Sequence, residues 1–296
     1  MKCSNHVSMR DARRPLRRRA PRVEKSRTRH EVCFHNSTRG TAGAMLLDEA
    51  SPGAWLPMLS VALFVSSVLN LYVLAHVQGR HGALANWRRV LLVISHPDDE
   101  SMFFGPTIQA LRRAGARTHI LCLSNGDADG LGAVREKELE IARKFLGVDS
   151  SEVVNDSKLK DGFKEAWPEE TIAAHVEASV RRLDANVVLT FDAKGVSGHP
   201  NHVAAYRGVR RWAAAAQKIS ASPETWALVT VNPLRKFLTF GDVFASFALE
   251  SHVLVAATSA MEVRRAMSLH RSQWVWYRKL FVLFSRYAYV NSLRRL

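Results

Sequence analysis

The stretch Val90-Leu91-Leu92-Val93-Ile94-Ser95-His96-Pro97-Asp98-Asp99-Glu100 decides how this chain reads. Five aliphatic residues in a row fit a strand buried on both faces, as in a parallel sheet. The run then empties into a histidine, a proline and three carboxylates. In open α/β sheets, ligands bind just beyond the carboxyl ends of strands, so polar groups gathered there mark a site. Histidine and carboxylates are also the nitrogen and oxygen donors that zinc accepts. A plainer reading competes on this stretch alone: Pro97 to Glu100 can be a turn and N-cap opening a helix.

A distant stretch repeats the pattern. Val187-Val188-Leu189-Thr190-Phe191 is followed by Asp192-Ala193-Lys194-Gly195-Val196-Ser197-Gly198-His199-Pro200-Asn201-His202. Here too an apolar β-type run ends in a polar, glycine-rich loop, this time with histidines. His199 and His202 can share a face of a first helical turn, or simply cap it. A catalytic zinc takes three protein ligands and keeps one position for water. His96, Asp99 and one histidine of the second pair supply such a set. Asp98 is left beside the metal, free to act as a base.

The segments His96-Pro97-Asp98-Asp99-Glu100 and Gly198-His199-Pro200-Asn201-His202 resemble the two signature motifs of the LmbE-like, metal-dependent amide deacetylases. A third stretch runs from Leu269-His270-Arg271-Ser272-Gln273-Trp274 to Phe284-Ser285-Arg286-Tyr287. It resembles the carboxyl end of one eukaryotic (PIG-L type) branch, which acts on N-acetylglucosaminyl-phosphatidylinositol in glycolipid-anchor synthesis. The resemblance covers roughly Trp87 to Leu296, and the first 44 residues fall outside it. It implies hydrolysis of the N-acetyl group to give glucosaminyl-phosphatidylinositol and acetate, the second step of GPI-anchor biosynthesis. It also implies a cytosol-facing catalytic domain anchored in the endoplasmic reticulum membrane.

Within that frame we expect His96, Asp99 and His202 to bind one divalent metal, zinc being the expected ion. Asp98 is expected to be the general base. His199, one turn before His202, is expected to stabilise the oxyanion as an imidazolium, with activity declining as it deprotonates. Asn125 and Arg135 match positions that lie near the sugar substrate in the resembling deacetylases, and an arginine fork also suits phosphate. On the plainer reading Arg135 pairs with neighbouring helix glutamates and Asn125 shapes the turn. His270, in the third motif, is expected to contact substrate or shape the pocket. His119 and His175 sit in regular structure and are expected to be structural.

Between the motifs, Phe103 to Ala114 reads as a helix stopped by Gly115. Ser124 to Gly132 is a long glycine-rich loop, and a helix opening at Arg135 ends at Gly147. Val153-Val154 is a short strand candidate, and Thr171 to Leu183 is helical. Strands alternating with helices predict an α/β, Rossmann-like fold: a mostly parallel sheet flanked by helices, with right-handed crossovers. No internal repeat is evident, and no G-x-G-x-x-G follows a strand, so a dinucleotide site has no direct support.

The net charge of +15 would suggest nucleic acid or an acidic membrane surface. Eleven basic residues from Arg10 to Arg39 crowd the first stretch against Asp11, Glu24 and Glu31. Residues 1–44 cannot build a core and are expected to be a disordered basic tail. They can equally be a transit-peptide-like segment, or be missing from the working protein if translation starts at Met45. The charge therefore belongs largely to the tail, and no nucleic-acid partner is expected for the enzyme domain. Cys3, Cys33 and Cys122 are odd in number and lack C-x-x-C spacing, which argues against a disulfide scaffold and a cysteine zinc site.

Trp55 to Val77 carries no Asp, Glu, Lys or Arg and is expected to be an N-terminal transmembrane helix, preceding a catalytic domain over 88–296. Ser66, Ser67 and Asn70 also allow a buried core helix. Counted from Met45, Asp48 and Glu49 lead the span while Arg80, Arg88 and Arg89 trail it, which puts the catalytic domain in the cytosol. Counted with the basic tail, the rule favours the lumen. Trp274, Trp276, Tyr277, Leu280, Phe281, Phe284 and Tyr287, interleaved with basic residues, suit a helix in a membrane interface or one packed on the core. Two rivals remain: a deacetylase of a soluble N-acetyl amino sugar, and a non-catalytic membrane adaptor that keeps the fold. A missing ligand would favour the adaptor, and every motif position is present.

Overall fold

A computed structural model describes residues 55–79, 84–217, 222–237 and 253–296, with Asp242 and Ser246. The tail expected over residues 1–44 lies outside the described residues. Helix α1 (Trp55–Gly79) is continuous for 25 residues. Leu56, Met58, Leu63 and Phe64 along it are each about two-thirds exposed. Among the described residues, no helix is long and apolar enough to cross a membrane. In α1 the described side chains end at Leu69, apart from Tyr72.

The catalytic part is built on one seven-stranded sheet. Its strands are β1 (Arg89–Ile94), β2 (Arg117–Cys122), β3 (Ser150–Val153), β4 (Val187–Phe191), β5 (Glu224–Leu228), β6 (Val253–Ala256) and β7 (Val290–Arg295). They lie in the order β3-β2-β1-β4-β5-β7-β6. β1 to β5 pair in parallel, while β7 runs antiparallel to both β5 and β6. This is the mostly parallel α/β sheet the alternation predicts. Val90 to Ile94 and all of β4 are buried, as near-continuous apolar runs are in central parallel strands.

The strand order reverses between β1 and β4, which are hydrogen-bonded neighbours with Leu92 opposite Leu189. A crevice beyond the carboxyl ends of two such strands is where open α/β sheets bind ligands. The helices that follow the strands are α2 (Asp99–Met102), α3 (Gly105–Arg113), α4 (Gly132–Leu146), α5 (Glu169–Leu183), α6 (Gly195–Gly198), α7 (Pro200–Ala216), α8 (Pro233–Phe237), α9 (Ala260–Leu269) and α10 (Trp276–Phe284). α5 and α7 pack on each other and on β1, while α3 and α4 both pack against α9. The α5–α7 approach is close: a β-carbon at Gly208 would come within 2.4 Å of Ile172.

Two details depart from the sequence reading. The helix expected over Phe103 to Ala114 is α3, with Pro106 in its first turn, but the short α2 before it was not expected. Strands β5, β6 and β7 were not anticipated. β7 reads Val-Asn-Ser-Leu-Arg-Arg, too polar to look like a strand, yet Asn291 and Ser292 are buried. Asn291 Oδ1 accepts from Thr107 N and Oγ1, and its Nδ2 donates to Phe103 O, so its polarity is fully used. Arg286, from the third motif, is also buried, 2.8 Å from Asp242.

Candidate active site

The two motif loops meet at the switch point. His96 and Asp99 follow β1, and His199 and His202 follow β4. His96, His199 and His202 each offer a ring nitrogen within 4.8 Å of the others, a spacing that can hold a metal ion. Asp99 joins them, its Oδ1 3.2 Å from His202 Nε2 and its Oδ2 3.9 Å from His96 Nδ1. Asp99 Oδ2 also accepts from the backbone N–H groups of Ser95 and His96 at 3.0 and 2.9 Å. That fixes the carboxylate to the strand end.

Hydrogen bonding around the rings sorts the three histidines. His202 Nδ1 lies 3.0 Å from Gly195 O, so it carries the proton and leaves the Nε2 lone pair facing Asp99 and the cluster. His96 Nε2 lies 2.9 Å from Asp161 Oδ1, and a proton donated to that carboxylate leaves the Nδ1 lone pair free. Both patterns are those of metal-bound imidazoles, whose second nitrogen donates to a carbonyl or carboxylate. His199 is different. As N-cap of α7 it accepts from Asn201 N through Nδ1 at 3.3 Å, so a neutral ring carries its proton on Nε2 and has no lone pair left for a metal. The donor set of His96, Asp99 and His202 therefore fits a divalent ion with nitrogen and oxygen preference.

The rings are wedged in place. Phe191 stacks on His202 with centroids 4.1 Å apart, and Phe103 meets the same ring edge-on at 5.6 Å. Phe163 packs on His199 at 4.5 Å. Burial alone would raise the Asp99 carboxyl, but the His202 and His96 rings outweigh it and hold the group well below the usual carboxylate range. Burial would lower His202, but Asp99 outweighs it and raises the ring. His199 is pushed down to about 4 by burial, then by the neighbouring His96 and His202. The imidazolium expected at His199 is thus replaced by a neutral ring presenting Nε2–H.

Asp98 occupies an unusual position. Its φ is 122°, a region that side-chain-bearing residues rarely adopt. The side chain is buried, and Oδ2 has no hydrogen-bond partner among the described residues. Arg278 Nη2 and Arg135 Nη2 stand 3.4 and 3.6 Å from that oxygen. Burial nonetheless dominates both guanidinium groups, and the carboxyl is raised above its ordinary value. Glu100 Oε2 accepts from the Asp98 amide at 3.1 Å, which steadies the loop from behind.

The remaining expected residues take varied places. Arg135 is buried and donates to Gly126 O and Pro97 O, both at 2.9 Å, tying the β2 loop to the β1 loop. It does not pair with the glutamates of its own helix. Asn125 does, donating to Glu136 Oε1 at 3.1 Å while lining a cleft of about 560 Å³ with Asp127, Asp156, Lys160 and Asp161. His270 is fully buried behind the Asp98 loop, 2.6 Å from Glu100 Oε1, and has no face on the cleft.

The family model described as PIG-L, GlcNAc-PI de-N-acetylase, matches residues 91–213, which span both motif loops. The N-acetylglucosaminyl-phosphatidylinositol de-N-acetylase of Bos taurus is 41% identical over 213 residues, covering 69% of this chain and 82% of that one. The chain belongs to the N-acetylglucosaminyl-phosphatidylinositol de-N-acetylase family. A Schizosaccharomyces pombe protein named "Probable N-acetylglucosaminyl-phosphatidylinositol de-N-acetylase" is 39% identical over 217 residues, covering 70% of this chain and 86% of that one. Among solved structures, the N,N'-diacetylchitobiose deacetylase of Pyrococcus horikoshii has the same fold. It aligns with a TM-score of 0.55 and 20% identity, over 72% of this chain and 85% of that one.

Three site residues of this family member escaped the sequence reading. Asp161 sits in the loop after β3, a third strand end at the same edge. β3 reads Ser-Ser-Glu-Val, so only Val153-Val154 hinted at a strand, and no ligand-type motif followed it directly. Asp192 accepts from Lys194 N, Gly195 N, Thr230 N and Thr230 Oγ1 and so folds the second loop; it was quoted within the motif but given no task. Arg278 lay in the aromatic segment, read as a helix in a membrane interface or packed on the core, and was given no place in the site.

Proposed function

We propose that this chain removes the acetyl group from N-acetylglucosaminyl-phosphatidylinositol, giving glucosaminyl-phosphatidylinositol and acetate. The observation that carries the reading is the hydrogen bonding around the rings: His202 Nδ1 faces Gly195 O and His96 Nε2 faces Asp161, leaving their other nitrogens for a metal beside Asp99, while His199 Nδ1 is taken by Asn201 N. His96, Asp99 and His202 hold the metal, zinc by the character of its donors. A bound divalent ion polarises an amide carbonyl and acidifies water.

Asp98 takes the proton of the attacking water and later delivers one to the departing amine. Its raised carboxyl, and an Oδ2 that accepts no hydrogen bond among the described residues, support both tasks. His199 Nε2–H donates to the oxygen on which negative charge develops. Asp161 orients His96, and His270 acts through Glu100 on the Asp98 backbone. The polar cleft at Asn125 suits sugar hydroxyls, with Arg135 fixing its two walls.

Helix α1 serves as the membrane anchor. Its 25 residues rise about 37 Å at about 1.5 Å each, enough for a hydrocarbon core of about 30 Å. The trailing arginines favour a cytosol-facing catalytic domain at the endoplasmic reticulum. The uncharged anchor weighs against a soluble amino-sugar substrate, and the complete donor set weighs against an adaptor. The test is to incubate detergent-solubilised protein with N-acetylglucosaminyl-phosphatidylinositol, with and without chelator. Free amine and acetate in equal amounts, abolished by chelator, are expected; no release from metal-loaded protein would overturn the reading.

A further inference from the structure

Beside Asp98 lies a groove of different character. It holds about 380 Å³ and is walled by Met102, Phe237, Tyr277, Leu280 and Phe281, with Arg278 at its rim. Met102 is three residues past Asp99, and Arg278 Nη2 is 3.4 Å from Asp98 Oδ2, so the groove begins where the hydrolytic cluster ends. A second cation borders the same wall. Lys236 donates to Val196 O at 3.2 Å and stands 5.4 Å from the Phe281 ring centroid. Arg278 at the first motif loop and Lys236 at the second both meet the apolar wall.

The wall is open to the surface: Phe237, Tyr277 and Leu280 are 52%, 53% and 46% exposed. Going outward from the rings, the chain presents carboxylates, then two cations, then hydrocarbon. A ligand that fits this order is polar and uncharged at one end, anionic in the middle and aliphatic at the other. Guanidinium and ammonium groups beside a ligand phosphate form charge-assisted hydrogen bonds, and a concave, nearly all-apolar surface suits methylene chains.

We infer that this groove seats the acyl-glycerol end of a phospholipid-linked amino sugar, with the phosphodiester between Arg278 and Lys236. The inference rests on the deacetylase reading for the sugar end and adds a seat for the other end. It differs from adsorption onto a membrane surface, since the seat works on one lipid molecule at a time.

The test uses the full chain in nanodiscs and three water-soluble substrates. One is the amino-sugar phosphatidylinositol with two six-carbon chains, kept monomeric. The second carries the same head group on bare glycerol, and the third is N-acetylglucosaminyl-inositol. Wild type should prefer the first over the second by at least tenfold in kcat/KM. Leu280→Asp on α10 and Phe237→Asp on the facing wall should each bring that ratio close to one; Leu280→Gln replaces any variant that melts early. Lys236→Met should raise KM for the two phosphodiesters more than for N-acetylglucosaminyl-inositol. A ratio unchanged in both wall variants overturns the seat, as does a chain preference seen only when the lipid is in vesicles. Hydrolysis of none of the three substrates overturns the deacetylase reading, and the seat with it.

Discussion

His270 Nε2 and Glu100 Oε1 are 2.6 Å apart, and neither side chain reaches solvent. Because Glu100 also accepts the Asp98 amide, the pair holds the backbone that aims the base. Removing one partner of a buried ion pair costs about 3–5 kcal/mol. His270→Ala should lower the melting temperature and kcat together while metal content stays near one ion per chain, and His270→Gln should recover part of both. The pair also sets a pH window. Glu100 is held below its ordinary 4.5 because His270 outweighs burial, so its stabilisation is lost as pH falls through that lowered value. His270 is held above its ordinary 6.5 because Glu100 outweighs burial, so its stabilisation is lost as pH rises through that raised value. The melting difference between wild type and His270→Gln should be largest between 4.5 and 6.5; a difference that grows steadily to pH 9 contradicts the pairing.

Asp98→Asn should bind metal as wild type does and lose turnover by about a hundredfold or more, the usual size of general-base catalysis. Metal stoichiometry and kcat measured on one preparation separate the two effects. Near-normal kcat would reject the assignment.

His199→Ala should keep its metal and lose about 3 kcal/mol of transition-state stabilisation, whereas His202→Ala should lose the metal. Because His199 protonates only near 4, kcat should show no decline assignable to its deprotonation between pH 6 and 8. Loss of metal from His199→Ala with retention in His202→Ala would mean that the two roles are exchanged.

Asp161→Asn keeps the shape beside His96 Nε2 but removes the charge that the ring proton faces at 2.9 Å. Metal affinity should fall about 10- to 100-fold, as for other outer partners of a metal-bound imidazole. Titration with a competing chelator reads this directly, and an unchanged affinity would show that Asp161 belongs to the cleft rather than to His96.

Deleting Trp55 to Gly79 should release the catalytic domain from carbonate-washed membranes, since the apolar length of α1 then goes. Full retention after deletion would move the anchoring to the exposed aromatics of α10.

How much of this was legible in the sequence followed from how local each signal was. β1 and β4 are largely apolar runs, so their burial and the site at their ends could be read directly, and the family resemblance lay in the residues that follow them. Asp161 was hidden because its strand is short and polar, and β7 because its polar residues find partners only across the fold, as Asn291 does with Thr107 and Phe103. His270 could be flagged from its motif, but its partner Glu100 is 170 residues away. The charge on His199 was misread because a pattern of residue types carries no information about burial or about two neighbouring rings.

The backbone at Asp98 links fold stability to fitness in a way that laboratory evolution would encounter. At φ 122° this position favours a residue without a β-carbon. Holding a side chain there costs about 1–3 kcal/mol. Asp98→Gly would therefore yield a sturdier protein with no base. A selection for heat tolerance alone would drift towards that dead end, and only a screen that also scores turnover would keep the aspartate.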